Sequence, residues 1–377
     1  MQLMASLLRR FALLVAGVSL LCLFQTASAV AGEDDGGAVY VLTNQSTDNT
    51  VVVYQRAENG ALVRTQEVST HGQGSGGGLG SQGALTLSDS GHLLFAVNAG
   101  SNELSVLAVS EDGLRFVEKV ASGGVRPISV TVHEDIVYVL NAGGTPNVTG
   151  FSLSRSGKLR QIPNSTHTLA GANAAAAQVE FSPNGDLLLV TEKNTNLIDI
   201  FQVDDDGRIG HAASLPSNNA TPFGFSFGPR GIVIVSEAAG GAPGASTLSS
   251  YRVIDGHSDN DTLETISKSV PDTQAAACWV VITRSGRFAF TSNTGSGTVS
   301  SFGVSRRGEL SLIAAVAASL GAGSGPTDMA LSGNSRFLYV LNSGTGTVAG
   351  FRVQDGNLTP VNEVAGLPLS VEGIAAQ

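Results

Sequence analysis

Seven stretches of this chain follow one template, and the repeat restricts the fold more than any other feature. VYVLTNQSTDNTVVVYQ, LLFAVNAGSNELSVLAV, IVYVLNAGGTPNVTGFSL, LLLVTEKNTNLIDIFQV, IVIVSEAAGG…LSSYRV, FAFTSNTGSGTVSSFGV and FLYVLNSGTGTVAGFRV each read the same way. An apolar strand ends in a polar residue, a short Gly/Asn/Thr loop follows, and a second, alternating strand leaves it. Six of the seven have a further strand and tight turn upstream, as in LTLSDSGH and VEFSPNGD, and most have a turn such as SRSGKL and a fourth strand downstream. The closing polar residues are Asn44, Asn98, Asn141, Glu192, Glu237, Asn293 and Asn342, about 50 residues apart, the spacing of propeller blades.

These units predict an all-β fold: a seven-bladed β-propeller of four-stranded antiparallel blades A to D. The first unit lacks its own A strand, and the last residues, LSVEGIAAQ, can supply it. Closing the ring with the C-terminal strand removes the free sheet edge that invites aggregation. No linker interrupts the pattern, so residues 32–377 read as one propeller domain. Residues 1–31 read differently. Arg9 and Arg10 precede a short apolar run and small residues at 27–31, the layout of a secretory signal peptide, which predicts a secreted, periplasmic or extracellular protein. That run is too short for a comfortable membrane span.

Composition narrows the partners. Losing residues 1–31 removes two arginines and no acid, so the formal charge of −10 becomes −12. A chain this acidic does not attract nucleic acid or anionic lipid. Only Cys278 remains of the two cysteines, which leaves no intramolecular disulfide. Nothing predicts self-association, and the chain reads as a monomer.

Residues 71–86, HGQGSGGGLGSQGALT, contain the dinucleotide fingerprint G-x-G-x-x-G twice. That cradle needs a helix after the glycines, whereas ALTLSDSGHLLFAVN reads strand, turn, strand. The stretch is therefore an inter-blade loop from strand D of blade 1 to strand A of blade 2. Glycine there permits close backbone approach where the loop crosses the ring.

In a propeller the D-to-A and B-to-C loops share one face. The glycine-rich loop, VRPIS, ANAAAAQ, NATPFG, DTQAAACW and GSGPTD all fall there, with the column of closing polar residues. The asparagines, Asn44, Asn98, Asn141, Asn293 and Asn342, are candidate ligand-binding amides, and they also suit a turn-capping role. Glutamate is no turn former, so Glu192 and Glu237 are the candidate catalytic groups. Arg126 could hold an anionic substrate or pair with either glutamate. Gln178 and Trp279 complete the candidate binding set, although a lone Trp in a strand equally suits a core. No His-x-His or His-x₃-His pattern supports zinc and no G-x-S-x-G a serine hydrolase. No cofactor is predicted; a ring of Asn and Glu oxygens is compatible with calcium by composition alone. N-x-S/T sequons occur at Asn44, Asn147, Asn164, Asn219, Asn260 and Asn357, and a glycan on Asn44 would crowd this face.

Through VEFSPNGDLLLV, GRFAFTSNTGSGTVSSF and SRFLYVLNSGTGTVAGF, the whole mature chain resembles the seven-bladed lactonase propeller family. That family includes bacterial 6-phosphogluconolactonases and fungal carboxy-muconate cyclases, and it is related to the YVTN surface-protein repeats. The resemblance implies a histidine where this chain has Ala177, and Pro-Arg-His where it has Pro222-Phe223-Gly224. It implies a further arginine at Thr294, and a glutamate that is retained as Glu237. These departures leave the face poor in cations and argue against a phosphorylated sugar lactone.

Two function classes follow. One is an exported lactonase or muconate-cyclase-like enzyme acting on a small ring, with Glu237 as general base beside Glu192, and Arg126 steadying the oxyanion. The other is a non-catalytic exported module that uses the same face to hold a glycan or protein.

Overall fold

The structure is a computed structural model, and it describes residues 36–171, 173–254 and 262–377. Residues 1–31, read above as a signal peptide, His257 and the Asn260 sequon lie outside the described residues. Seven antiparallel sheets form, and in blades 2 to 7 the strands follow sequence order from the inside out. The innermost strands are Leu85–Leu87, Val125–His133, Ala176–Phe181, Pro222–Gly228, Ala277–Ile282 and Pro326–Leu331 in blades 2 to 7. In blade 1 that place is taken by Ile374–Ala376, which pairs with Gly37–Leu42 through Val39↔Ala376, Tyr40↔Ala375 and Val41↔Ile374. The C-terminus thus closes the ring as the repeat count requires. Blade 3 departs from the template: its outer strand is split into Leu159–Gln161 and His167–Thr168, both paired with Asn147–Leu153.

The burial of each strand follows from its place. B strands such as Leu187–Glu192, Ile232–Glu237 and Phe337–Asn342 are buried along their whole length, because both faces pack on neighbouring blades. Outer strands such as Leu62–Ser69 keep only scattered residues inside. The A-to-B turns repeat one device. The hydroxyls of Ser88, Ser182, Thr283 and Ser332 accept the N–H of Leu93, Leu187, Phe288 and Phe337, which locks each hairpin.

Blades are stitched to one another by buried polar groups. Tyr138 Oη donates to the Gly207 carbonyl of the next blade at 2.9 Å, and Tyr339 Oη repeats this on Gly60 at 2.8 Å. Gly60 is obligatory there, since it sits at φ +91° and a Cβ would lie 2.3 Å from the Phe337 ring. Along the inner strands, Gln178 clamps Phe225 by accepting its N–H at 2.7 Å and donating to its carbonyl at 2.9 Å. Asp328 accepts the N–H of Ile374, so an interior carboxyl holds the closing strand. The net effect is a ring whose unpaired inner edges are satisfied by the neighbouring blade.

Candidate functional site

The column of closing residues sits where the repeat places it, fully buried, but its side chains serve the turns. Asn44 Nδ2 donates to the Gly77 carbonyl at 2.7 Å and its Oδ1 accepts Ser75 N–H at 2.8 Å. Asn98 Oδ1 accepts from Asn49 and Thr70, and its amide donates to Ser105. Asn141 donates to Ser122 and Asn147, Asn293 to Thr298 and Ser300, and Asn342 to Thr347. Each amide N–H bonds to its own or the adjacent blade, while Oδ1 of Asn141, Asn293 and Asn342 is buried without a partner; Asn44, 0% exposed, has no room for a glycan.

The two glutamates are enclosed in the same way. Glu237 is 0% exposed and accepts four hydrogen bonds, from Ser217 Oγ (3.1 Å), Asn219 N (3.0 Å), Thr247 Oγ1 (2.5 Å) and Ser249 Oγ (2.8 Å). A general base needs a free lone pair facing substrate; Glu237 instead gathers the loops of blade 5. Glu192 is equally buried, accepting Gly171 N–H at 3.0 Å and the Thr195 hydroxyl. Its neighbour Asp199 is pushed up to about 7, by burial first and by the Glu192 carboxyl in addition, against bonds from Ala170 N–H and the Ser214 hydroxyl. Arg126 turns to neither glutamate: its guanidinium donates to the Gly78 carbonyl at 3.4 Å. Gln178 is the inter-blade clamp described above. Trp279 is 3% exposed, 5.1 Å from the Phe223 ring, and donates its indole N–H to Ser81 O at 2.9 Å. The two aromatics are core, with no flat exposed platform.

What these side chains surround is the glycine-rich loop, which crosses the ring. No helix follows it; Gly83 leads into strand Leu85–Leu87. Ser81 Oγ donates to Ile128 O in blade 3 at 2.8 Å, Gln82 N to Ala177 O in blade 4 at 3.1 Å, and Gln82 Nε2 to Val280 O in blade 6 at 2.8 Å. The loop therefore plugs this end of the axis. Its close approach explains Gly224, where a Cβ would lie 2.2 Å from Gln82 Oε1. Ala177 lies against the same residue.

Two ionisable residues that the sequence reading did not single out meet at the plug. Lys193 follows Glu192 in the blade 4 turn and reaches inward: Nζ donates to Gly80 O at 2.5 Å and lies 4.5 Å from the centroid of the Phe223 ring. A cation thus stands over the very residue where the resemblance implied an arginine. Glu372 precedes the closing strand; its Oε1 accepts Leu79 N–H at 2.9 Å. It is 1% exposed, and its Oε2 is buried without a hydrogen-bond partner. Burial pushes Glu372 up to about 8, with Asp328 adding and the N–H groups of Leu79 and Gly80 and the Lys193 charge opposing. Burial pulls Lys193 down to about 8, against Cys278 and Glu372 and with Arg126. Cys278, 6% exposed, is pushed up to about 12 by burial and is no thiolate nucleophile. Among the described residues no cluster of three His, Cys, Asp or Glu is arranged for a metal.

The other end of the axis is open. A cavity of about 570 Å³ is lined by inner strands, including Glu180, Asp328, Gln178 and Thr131. Burial pushes Glu180 and Asp328 up to about 8. Both already accept backbone N–H groups of the next blade, from Phe227 and Ile374, which gives them structural work.

The chain belongs to the lactonase family of seven-bladed β-propellers, whose sequence model matches residues 30–169, 145–239 and 246–376. Solved structures agree in fold. A "putative 6-phosphogluconolactonase" of Bacteroides uniformis is 20% identical with a TM-score of 0.72, over 90% of this chain and 99% of that one. The periplasmic gluconolactonase of Pseudomonas aeruginosa is 16% identical with a TM-score of 0.70, over 89% and 98%. No curated protein matches. Among the described residues no helix is long and apolar enough to cross a membrane.

Proposed function

We propose that this chain hydrolyses a small lactone on the plugged face, with Glu372 as general base and Lys193 and Arg126 as the cations. One observation carries the reading: Glu372 Oε2, buried near the axis beside an ammonium, has no donor. Glu103 also keeps one buried oxygen without a partner, but its other oxygen pairs with Lys119 on an outer strand; at Glu372 the unpaired oxygen lies by the axis, where unpaired groups serve chemistry. In the reaction Glu372 takes a proton from water as that water attacks the lactone carbonyl carbon. Lys193 and Arg126 stabilise the charge that gathers on the carbonyl oxygen. The ring C–O bond breaks, and Glu372 returns the proton to the leaving alkoxide, giving the hydroxy acid.

The names of the structural neighbours support a sugar lactone as the first substrate to try. The basic pair and apolar run at the N-terminus support export, so the substrate is met outside the cytoplasm. A non-catalytic exported propeller holding a glycan or protein is the second reading. It is favoured by the loop that covers Glu372, since a ligand must displace it.

A pH-stat panel of gluconolactone, 6-phosphogluconolactone, a muconolactone and an acyl-homoserine lactone separates the two. Turnover by the wild type that Lys193→Met and Glu372→Gln each abolish supports the enzyme. Background rates for all substrates, with both variants folded, contradict it.

A further inference from the structure

The three side chains of the plugged face hold three consecutive residues of the glycine-rich loop. Arg126 donates to the Gly78 carbonyl at 3.4 Å, Glu372 accepts Leu79 N–H at 2.9 Å, and Lys193 donates to the Gly80 carbonyl at 2.5 Å. The flanks have separate anchors. On one side, Gly74 N–H bonds to Gln45 O, Gly76 N–H to Asn44 O, and Asn44 Nδ2 to Gly77 O. On the other, Ser81 and Gln82 are fixed to blades 3, 4 and 6. Between these anchors, the backbone hydrogen bonds of residues 78–80 go to the candidate site.

We propose that Gly78–Leu79–Gly80 is an intramolecular occupant of the lactone site, a latch that lifts before a ligand reaches Lys193, Glu372 and Arg126. The proposal rests on the lactonase reading for what the ligand is, but not for the motion. The strip's groups match those of a ligand carbonyl: two oxygens receive donors from cations, and the N–H groups of Leu79 and Gly80 meet the carboxylate. It has room to leave. A Cβ at Gly77 would meet nothing within 4 Å, and Gly80 already sits at φ +63°. The Leu79 side chain holds the strip down, being 6% exposed and packed in the large core cluster of blades 1 to 4. Trimming it lowers the cost of opening without touching the site.

The test uses the full mature chain and the acetic acid ester of N-hydroxysuccinimide, with sites mapped by mass spectrometry. The strip shields the Lys193 amine from the reagent and lifting it exposes the amine to water, so at a fixed pH of 8 its acetylation rate, taken relative to Lys119, reports opening. Leu79→Ala is expected to speed acetylation of Lys193 about tenfold or more while leaving Lys119 unchanged. A folded Leu79→Ala protein with an unchanged Lys193 rate overturns the latch. Should that variant fail to fold, amide exchange of the wild type decides. The Leu79 amide is expected to exchange at least about tenfold faster than those of Gly76 and Gln82; exchange of all three in one step overturns the proposal. Neither readout uses lactone turnover. A mobile strip without turnover removes the enzyme reading alone, and turnover with an immobile strip removes the latch alone.

Discussion

The B-to-C turn of blade 5 and the ring closure each bury one glutamate almost completely, and the two neighbourhoods treat it in opposite ways. Glu237 meets three hydroxyls and a backbone N–H. Glu372 accepts the Leu79 N–H of a foreign loop on Oε1 and leaves Oε2 without a partner. Equal burial therefore says nothing about role; the supply of donors does. A carboxylate surrounded by neutral donors from its own blade is a fastener. One with a missing donor, set beside a cation and beneath a loop that crosses the ring, is poised to exchange a proton.

The largest effect that sharpens this contrast is on turnover. Glu372→Gln is expected to lower kcat by roughly 10²-fold or more, the usual contribution of a general base. Its Tm should stay within a few degrees, because the amide oxygen still accepts Leu79 N–H. Glu237→Gln should do the reverse. Replacing one acceptor oxygen by an amide donor strands hydroxyls in the interior, costing about 2–4 kcal/mol by denaturant unfolding.

Next in size is the dependence of rate on pH. The proposed mechanism needs Glu372 ionised and Lys193 protonated, and burial pushes the first up and pulls the second down to about 8. The pH profile of kcat/KM is expected to be a narrow bell centred there; a plateau from pH 5 to 7 would break the assignment.

A smaller effect lies in stability. The folded values of Glu180, Asp328 and Glu372 are raised to about 8, so the folded state binds more protons than the unfolded chain above pH 4. Their stabilisation is complete below the unfolded values and is lost as pH rises through 8. The Tm should be higher at pH 6 than at pH 8, and the slope should flatten in Glu372→Gln. Smallest is Tyr339→Phe, which removes one inter-blade bond to Gly60 and should cost about 1–2 kcal/mol in the same denaturant assay.

The ring itself was legible in the sequence because each blade writes its own period, turn and closing residue. The replaced first strand was legible from counting. The glycine loop's path across the ring was inferred from topology and holds. The site was not legible to the same degree. A glutamate at the end of a B strand looks identical whether hydroxyls or a substrate await it. The donors of Glu237 are spread over residues 217–249, in turns and strands with no fixed spacing. Lys193 and Glu372 come together only through the strip between Gly78 and Gly80. The Glu372–Leu79 contact joins residues 293 apart in the chain, and no local pattern announces it. The signals that were present are weaker: a lysine directly after a column residue, and the one acid in the segment that closes the ring.

The most direct test of the account is a side-by-side measurement of Glu372→Gln and Glu237→Gln on one lactone that the wild type turns over, with Tm recorded for both. The account predicts that the first variant loses turnover and keeps its Tm. The second should keep its kcat at temperatures where it is folded and lose stability. Loss of turnover in a fully folded Glu237→Gln, with Glu372→Gln still active, would contradict it and return the chemistry to blade 5.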